Sequence, residues 1–397
     1  MGLRVLIIPD KFKGTLSAGA AARAIARGWR KARPGDSLEL LPMCDGGDGF
    51  GEVMSGLMRA KVQTARTIDA AHRPCAVRWW WAKGKGTAII ESARVIGLAM
   101  LERGLERLRG RAPYHPFQLD TFGLGLVLKA AAEKGARRCL IGIGGSATND
   151  GGFGLARALG WRFLRAGGTE IEQWTELSVL ERLRAPQRRR WFDELVVAVD
   201  VQNPLLGPKG ATRIYGPQKG LLPKDFPVAE GCLRRLAQVV ERELGHDFGR
   251  VPGAGAAGGL GFGLMAFAGG RPESGFQLFA RMARLDRRLR DADLVITGEG
   301  AIDASTFMGK GAGQIASRCL ELEVRCIGLA GEARVEKLNG LKGLDTLNWG
   351  KKGQGGFAEV RALIELTTIE EAKTLPAVWL ERLARRVGEE LGKRSLR

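Results

Sequence analysis

The sequence runs to 397 residues, 45% hydrophobic and 26% charged, too long for one ordinary domain and too apolar for a disordered chain. Its 62 Lys and Arg against 43 Asp and Glu leave a formal net charge of +19, a surplus that attracts anions. The basic clusters at 103–111 and 184–190 have no aromatic residues interleaved as a stacking platform, so no dedicated nucleic-acid partner is expected.

Residues 3–8 form a continuous aliphatic run, expected as a buried parallel strand. Pro9-Asp10-Lys11-Phe12-Lys13-Gly14-Thr15 follows, and Ser17 is placed to cap an Ala-rich helix running to about Arg33. Asp10, Lys11 and Lys13 thus stand at the carboxyl end of a strand, where open α/β sheets receive ligands. A second strand over 38–43 ends in Cys44-Asp45-Gly46-Gly47-Asp48-Gly49, ahead of a helix over 50–58. From Lys61 the pattern changes. Strands are expected over 62–68, 75–81 and 87–90, and Trp79-Trp80-Trp81 puts rings on both faces of one of them.

A helix over 124–134 leads into a buried strand over 139–143 and then Gly144-Gly145-Ser146-Ala147-Thr148-Asn149-Asp150-Gly151-Gly152, with a helical pattern over 153–159. Strand, glycine-rich turn and helix in that order suit a phosphate. Glycines let backbone N–H groups approach the anion, and a helix N-terminus adds a favourable dipole. Ser146, Thr148 and Asn149 are candidate donors, while Asp150 either holds a metal ion or caps the helix. The spacing is not that of a Walker loop, and a tight capped turn is the plainer alternative.

Residues 184–190 read as an exposed charged connection, and a strand over 195–199 ends at Asp200, ahead of Asn203-Pro204-Leu205-Leu206-Gly207. Tyr215-Gly216-Pro217-Gln218-Lys219-Gly220 is a turn carrying a basic residue, and 233–244 is helical. The glycine run over 253–261, with Gly258 and Gly259, offers a second backbone cradle or a close helix contact. A strand over 294–296 precedes Thr297-Gly298-Glu299-Gly300-Ala301-Ile302-Asp303, then Lys310 and a helix over 313–322. Further strands are expected over 324–329 and 362–366. An amphipathic helix over 376–391 closes the chain, with Val378, Leu380, Leu383, Val387 and Leu391 as its apolar set.

Six cysteines without a C-x-x-C pair and three scattered histidines make neither a zinc pattern nor a Cys–His nucleophile. Free thiols, no membrane-length apolar run and no signal-peptide pattern lead to the expectation of a cytoplasmic protein with no membrane partner. Five strand-end turns share carboxylates, glycines or lysines, which are the groups phosphoryl transfer needs. Asp200 is the preferred carboxylate to accept the proton of an attacking hydroxyl, with Asp45 and Asp303 as competitors.

Those segments, with Gly216-Pro217-Gln218-Lys219-Gly220 and residues 252–261, resemble the bacterial glycerate kinase family of glucarate and glyoxylate metabolism, in family order from Leu3 to about Gly331. The resemblance implies an α/β fold: a flavodoxin-like three-layer domain from 1–70 and 287–397, with an inserted α/β domain and mixed sheet over 71–286. It implies ATP- and Mg²⁺-dependent phosphorylation of D-glycerate to 2- or 3-phosphoglycerate. A divergent, weakly active or non-catalytic relative that binds an anionic metabolite or polyanion is the alternative, and a homodimer is compatible with either.

On both grounds Asp200, Asp45 and Lys13 are the expected catalytic residues. Gly144, Gly145, Ser146, Thr148, Asn149, Gly258, Gly259 and Lys310 are expected to bind phosphate or nucleotide. Asp10, Lys11, Asn203, Glu299 and Asp303 are expected to hold the acceptor, and Asp45, Asp48 and Asp150 the metal. Several positions depart from the family pattern: Lys11 replaces a Ser, Asp48 a Glu, and Ala301 an Arg, while Phe50, Leu124 and Leu126 stand where hydroxyl or acidic residues are usual. Each lost charge-assisted contact is worth about 1–3 kcal/mol.

Overall fold

The computed structural model describes residues 2–102, 114–308, 311–333 and 356–394, so Lys310 and the basic cluster at 103–111 lie outside the described residues. In chain order the strands are β1 (Arg4–Pro9), β2 (Ser37–Leu40), β3 (Lys61–Ile68), β4 (Pro74–Ala82), β5 (Thr87–Glu91), β6 (Arg138–Gly142) and β7 (Arg162–Leu164). They continue with β8 (Arg182–Arg184), β9 (Glu194–Val199), β10 (Gly270–Ser274), β11 (Leu294–Ile302), β12 (Cys326–Ala333) and β13 (Glu359–Ala362). The chain divides into two compact units, Met1–Cys44 with Phe279–Arg397, and Asp45–Leu278.

The first unit carries a five-stranded sheet in the order β13-β12-β11-β1-β2, parallel at every pairing. Counted along its own strands this is the 2-1-3-4-5 order of flavodoxin-like sheets. Val5, Leu6, Ile7 and Ile8 are all buried, as a strand covered on both faces requires. Helix Ala18–Ala32 begins where Ser17 Oγ accepts the N–H of Ala20 at 3.2 Å. Its Gly28 allows backbone contact with the closing helix Pro376–Arg394, since a Cβ there would lie 2.0 Å from the Glu381 carbonyl oxygen. Leu380, Leu383, Val387 and Leu391 are buried as expected, but Val378 is exposed. Strand β11 is longer than 294–296, because Glu299 and Ile302 still pair with Ala330 and Ala333 of β12. The strand expected over 362–366 lies earlier, with Leu363–Glu365 turning as a 3₁₀ segment.

The second unit carries a six-stranded sheet, β10-β9-β6-β5-β4-β3. It is mixed: β5, β6, β9 and β10 run parallel, while β3–β4 and β4–β5 are antiparallel. β7 and β8 form a separate hairpin. The unit boundary falls at Cys44/Asp45 rather than after residue 70, because β3 pairs along its whole length with β4. At the other end it falls at Leu278/Phe279 rather than 286/287. Trp79 and Trp80 are both buried, on opposite faces of β4. The core around Trp79, Ile90, Ile141, Phe153, Val197 and Phe262 belongs wholly to this unit. All six cysteines are thiols outside any disulfide. Among the described residues no helix is long and apolar enough to cross a membrane.

Candidate active site

In the second unit β6 is buried from Cys139 to Gly142 and releases the chain into the glycine loop. Gly145, Gly151 and Gly152 have φ of 77°, 63° and 77°, the left-handed region that disfavours a Cβ. A second segment interlocks with this loop. Ala257, Gly258 and Gly259, with φ of 56°, 73° and 87°, interrupt the helical stretch Ala256–Ala268. A Cβ at Gly258 would lie 1.9 Å from the Thr148 carbonyl oxygen, and the Gly258 carbonyl accepts the N–H of Gly151 at 3.2 Å. A Cβ at Gly259 would lie 2.8 Å from Gly151 Cα, and the Gly259 N–H donates to the Gly255 carbonyl at 3.3 Å.

Ser146 Oγ lies 3.0 Å from Thr148 Oγ1, accepts the Thr148 N–H at 3.1 Å and donates to the Ala257 carbonyl at 3.4 Å. Asn149 is 1% exposed, and neither its Oδ1 nor its Nδ2 has a partner. A buried amide left unpaired costs roughly 1–3 kcal/mol per group, so this side chain is set for a polar ligand.

Sequence reasoning missed one residue here. Lys219 is buried, and its Nζ donates to the Thr148 carbonyl at 2.6 Å. Burial lowers its pKa to about 7, while the charge of Asp150 acts the other way. The available signal was its turn: Pro217–Lys219 is one 3₁₀ segment closed by Gly220 at φ 102°.

Asp150 does not fit a metal ligand. Its Oδ2 accepts from the Thr121 hydroxyl at 2.7 Å and from the N–H groups of Thr121 and Gly154 at 3.0 and 2.9 Å, and its Oδ1 from Gly152 N–H at 3.3 Å. It is fully buried, and it occupies the start of helix Phe153–Ala158. That helix has six residues and its first N–H groups serve Asp150, so the expected dipole contribution to a phosphate is not built here.

The Asp45–Gly49 turn sits against the same loop. Gly144 N–H donates to the Gly46 carbonyl at 3.2 Å, and Asp48 Oδ1 is 2.7 Å from where a Gly145 Cβ would be. A Cβ at Gly46 would meet the Ala198 carbonyl of β9 at 3.0 Å, and one at Gly275 the Asp45 carbonyl at 1.8 Å. Asp45 Oδ1 accepts the Gly47 N–H at 3.2 Å, and Asp48 is exposed. Among the described residues no group of three His, Cys, Asp or Glu is arranged to hold a metal. Two carboxylates on one turn beside a glycine loop still fit Mg²⁺, which takes one or two carboxylates and completes its shell with phosphate and water oxygens.

Asp200 is exposed at the carboxyl end of β9. Tyr215 has its hydroxyl pKa raised by burial first and by the Asp200 charge second. Asn203 does not keep an amide for an acceptor: its Oδ1 accepts the Tyr215 hydroxyl at 2.7 Å and its Nδ2 donates to the Lys209 carbonyl at 2.7 Å. It holds its own loop in shape.

In the first unit the strand order reverses between β1 and β11, the crevice where open α/β sheets receive ligands. Asp10, just past β1, accepts the Lys11 N–H at 2.7 Å and donates its own N–H to the Gly298 carbonyl at 2.8 Å. Glu299 Oε1 accepts the Thr306 hydroxyl at 2.8 Å, and Thr306 Oγ1 accepts the Asp303 N–H at 3.2 Å. Asp303 Oδ1 also accepts the N–H of Ser305 at 2.8 Å. Asp10 and Glu299 are nearly buried, Lys11 is half-buried and Lys13 exposed. The switch point thus gathers Asp10, Lys11, Lys13, Glu299 and Asp303 on one sheet edge.

The model of the glycerate kinase family matches residues 5–387. The chain is 36% identical over 333 residues to a glycerate kinase of Bacillus subtilis strain 168, covering 83% of this chain and 85% of that one. It is 35% identical over 332 residues to glycerate 2-kinase of Escherichia coli strain K12, with 83% and 85% covered. A crystal structure of a protein described as glycerate kinase 2, from Salmonella typhimurium LT2, superposes with a TM-score of 0.80 at 30% identity over 100% of both chains.

Proposed function

The chain belongs to the glycerate kinase family, and from that premise we propose that it transfers the γ-phosphoryl group of ATP to the 2-hydroxyl of D-glycerate. The observation that carries the nucleotide half of this reading is the interlocked glycine cradle with the unpaired, buried Asn149 amide. The backbone N–H of Gly145 and Asn149 Nδ2 supply neutral donors to phosphate oxygens, and the Ser146 and Thr148 hydroxyls do so by turning from Ala257 and from each other, while Gly144 gives its N–H to Gly46 and shapes the turn. Asp45 and Asp48 are the residues that would hold Mg²⁺, which when bound neutralises charge on the phosphates. Asp200, exposed at the end of β9, accepts the proton of the attacking hydroxyl. Lys13 provides a positive charge to the transferred group. Lys11 suits the glycerate carboxylate, and Asp10, Glu299 and Asp303 suit its hydroxyls. Six thiols outside any disulfide support a cytoplasmic setting.

The test is an assay with ATP, Mg²⁺ and a panel of hydroxy acids, with the product identified by ³¹P NMR. 2-Phosphoglycerate is expected. 3-Phosphoglycerate would reassign the hydroxyl, and no turnover by folded protein would favour a metabolite-binding relative. In Asp200→Asn, kcat should fall about 10²–10⁴-fold with the ADP dissociation constant unchanged. Near-normal turnover would eliminate Asp200 and leave Asp45 and Asp303.

A further inference from the structure

Lys219 is costly where it stands. A lysine side chain is rarely buried without a partner, because desolvation penalises its charged form. Its ammonium has three N–H donors, and Thr148 O takes one of them. Asp150 is near enough to favour the charge, yet its carboxylate oxygens already serve Thr121, Gly152 and Gly154. Nor is charge needed to tie the Gly216–Gly220 turn to the loop, since a neutral donor would bond the Thr148 carbonyl equally well.

A second observation stands beside it. The point where a Gly258 Cβ would lie is 2.8 Å from Lys219 Nζ and 2.8 Å from Asn149 Cα, so the buried cation and the residue with the unpaired amide flank the same glycine. Gly258 therefore lacks a side chain at the position where one would displace both. Two free N–H donors on Lys219 and one amide on Asn149 call for an anion with several oxygens.

We propose that the Lys219 ammonium is the cation of the nucleotide site, binding the polyphosphate of ATP and ADP together with the Asn149 amide. The proposal rests on the phosphoryl-transfer reading above and adds to it a residue for which the glycine loop itself has no substitute. It fits a loop without a Walker lysine: the charge arrives from a separate turn, Gly216–Gly220. Burial that holds the pKa of Lys219 down to about 7 leaves room for an arriving anion to recharge it.

The first measurement uses the wild-type chain. Adenosine diphosphopyridoxal, an aldehyde carried at the phosphate end of the nucleotide, is reacted with the protein and fixed by borohydride, and the modified peptide is mapped. Lys219 should be labelled, and ADP should suppress the label. Labelling of another lysine with Lys219 unmodified would overturn the proposal, whatever the variants do. The second is Lys219→Met, checked for folding by circular dichroism, with ADP binding measured by calorimetry in the absence of glycerate. Affinity should fall at least about tenfold, and an ADP dissociation constant within twofold of wild type would refute the role. Because ADP binding needs no acceptor, the two readings separate. Lys219-dependent ADP binding without glycerate turnover removes only the substrate assignment, whereas turnover with an unaffected Lys219→Met removes only this proposal. A wild-type chain that binds no ADP removes both.

Discussion

Asp150 shows how one side chain is drawn away from chemistry and into the framework. Burial first, and the charge of Asp120 second, push its carboxyl up to about 6 from 3.8, against the hydrogen bonds from Thr121 and Gly154. A raised folded-state pKa means its stabilising contribution is fully present below about 3.8 and is lost as pH rises through about 6. Asp150→Asn cannot ionise, so the wild-type advantage over this variant in urea unfolding should shrink by about 2 kcal/mol between pH 4 and 6. An advantage independent of pH would show that Asp150 does not titrate there. The same residue marks the limit of reading sites from sequence. The loops carrying Ser146, Asn149, Asp45 and Asp200 were legible, because small polar residues and glycines at strand ends have few other uses. Which side-chain atoms remain available was not legible. Thr121, Tyr215 and Lys209 are far along the chain from or unremarkable beside Asp150 and Asn203, yet they consume those side chains. Lys219 escapes sequence reasoning for the converse reason: a lysine in a glycine turn reads as solvated until Thr148 is seen across it.

Glycines decide which elements were legible. Aliphatic runs and the Ser17 cap located β1, β6, β9 and the first helix to within a residue or two. Helix Phe226–Leu244 starts earlier than 233, since Pro227 sits in the first turn, where it costs no hydrogen bond. In β11 the glycines mislead. Gly298 looks like a turn residue but stands within the strand, where a Cβ would meet the Leu329 carbonyl oxygen at 2.0 Å. Positive φ and close approach can be separated by experiment. Gly14 has φ +78° with nothing within 4 Å of where a Cβ would stand, so Gly14→Ala should cost about 1 kcal/mol of backbone strain and leave ADP binding intact. Gly258 has φ +73° and a backbone oxygen at 1.9 Å, so Gly258→Ala must also move the Thr148–Asn149 peptide. It should cost more than about 3 kcal/mol in denaturant unfolding and abolish ADP binding. Equal effects of the two substitutions would mean that the interlock of the glycine runs is not rigid.

At the scale of the whole molecule, the chain enters one unit, leaves it at Cys44, completes a second, and returns at Phe279. The change of pattern near Lys61 was visible, because three strands in succession break the strand-helix alternation. The crossing itself lies earlier, within Cys44-Asp45-Gly46, where strand-to-helix composition is the same on both sides. That order has a consequence for folding. The Asp45–Leu278 unit is contiguous, has its own core and six-stranded sheet, and contains the glycine loop, Asn149, Lys219, Asp45, Asp48 and Asp200. The other unit is discontinuous, and its central pairing joins β1 to β11, nearly 300 residues apart in sequence, with Val5 opposite Leu294. Loop closure over that span costs less once the intervening chain has become compact. Residues 45–278 expressed alone should therefore fold cooperatively and bind ADP, but not phosphorylate glycerate, since the Asp10–Lys13 turn and Glu299 are missing. The measurements are a urea transition followed by circular dichroism and calorimetry with ADP. A fragment that stays unfolded would show that the contiguous unit depends on the split one, and a folded fragment without ADP affinity would move the nucleotide site out of the glycine cradle.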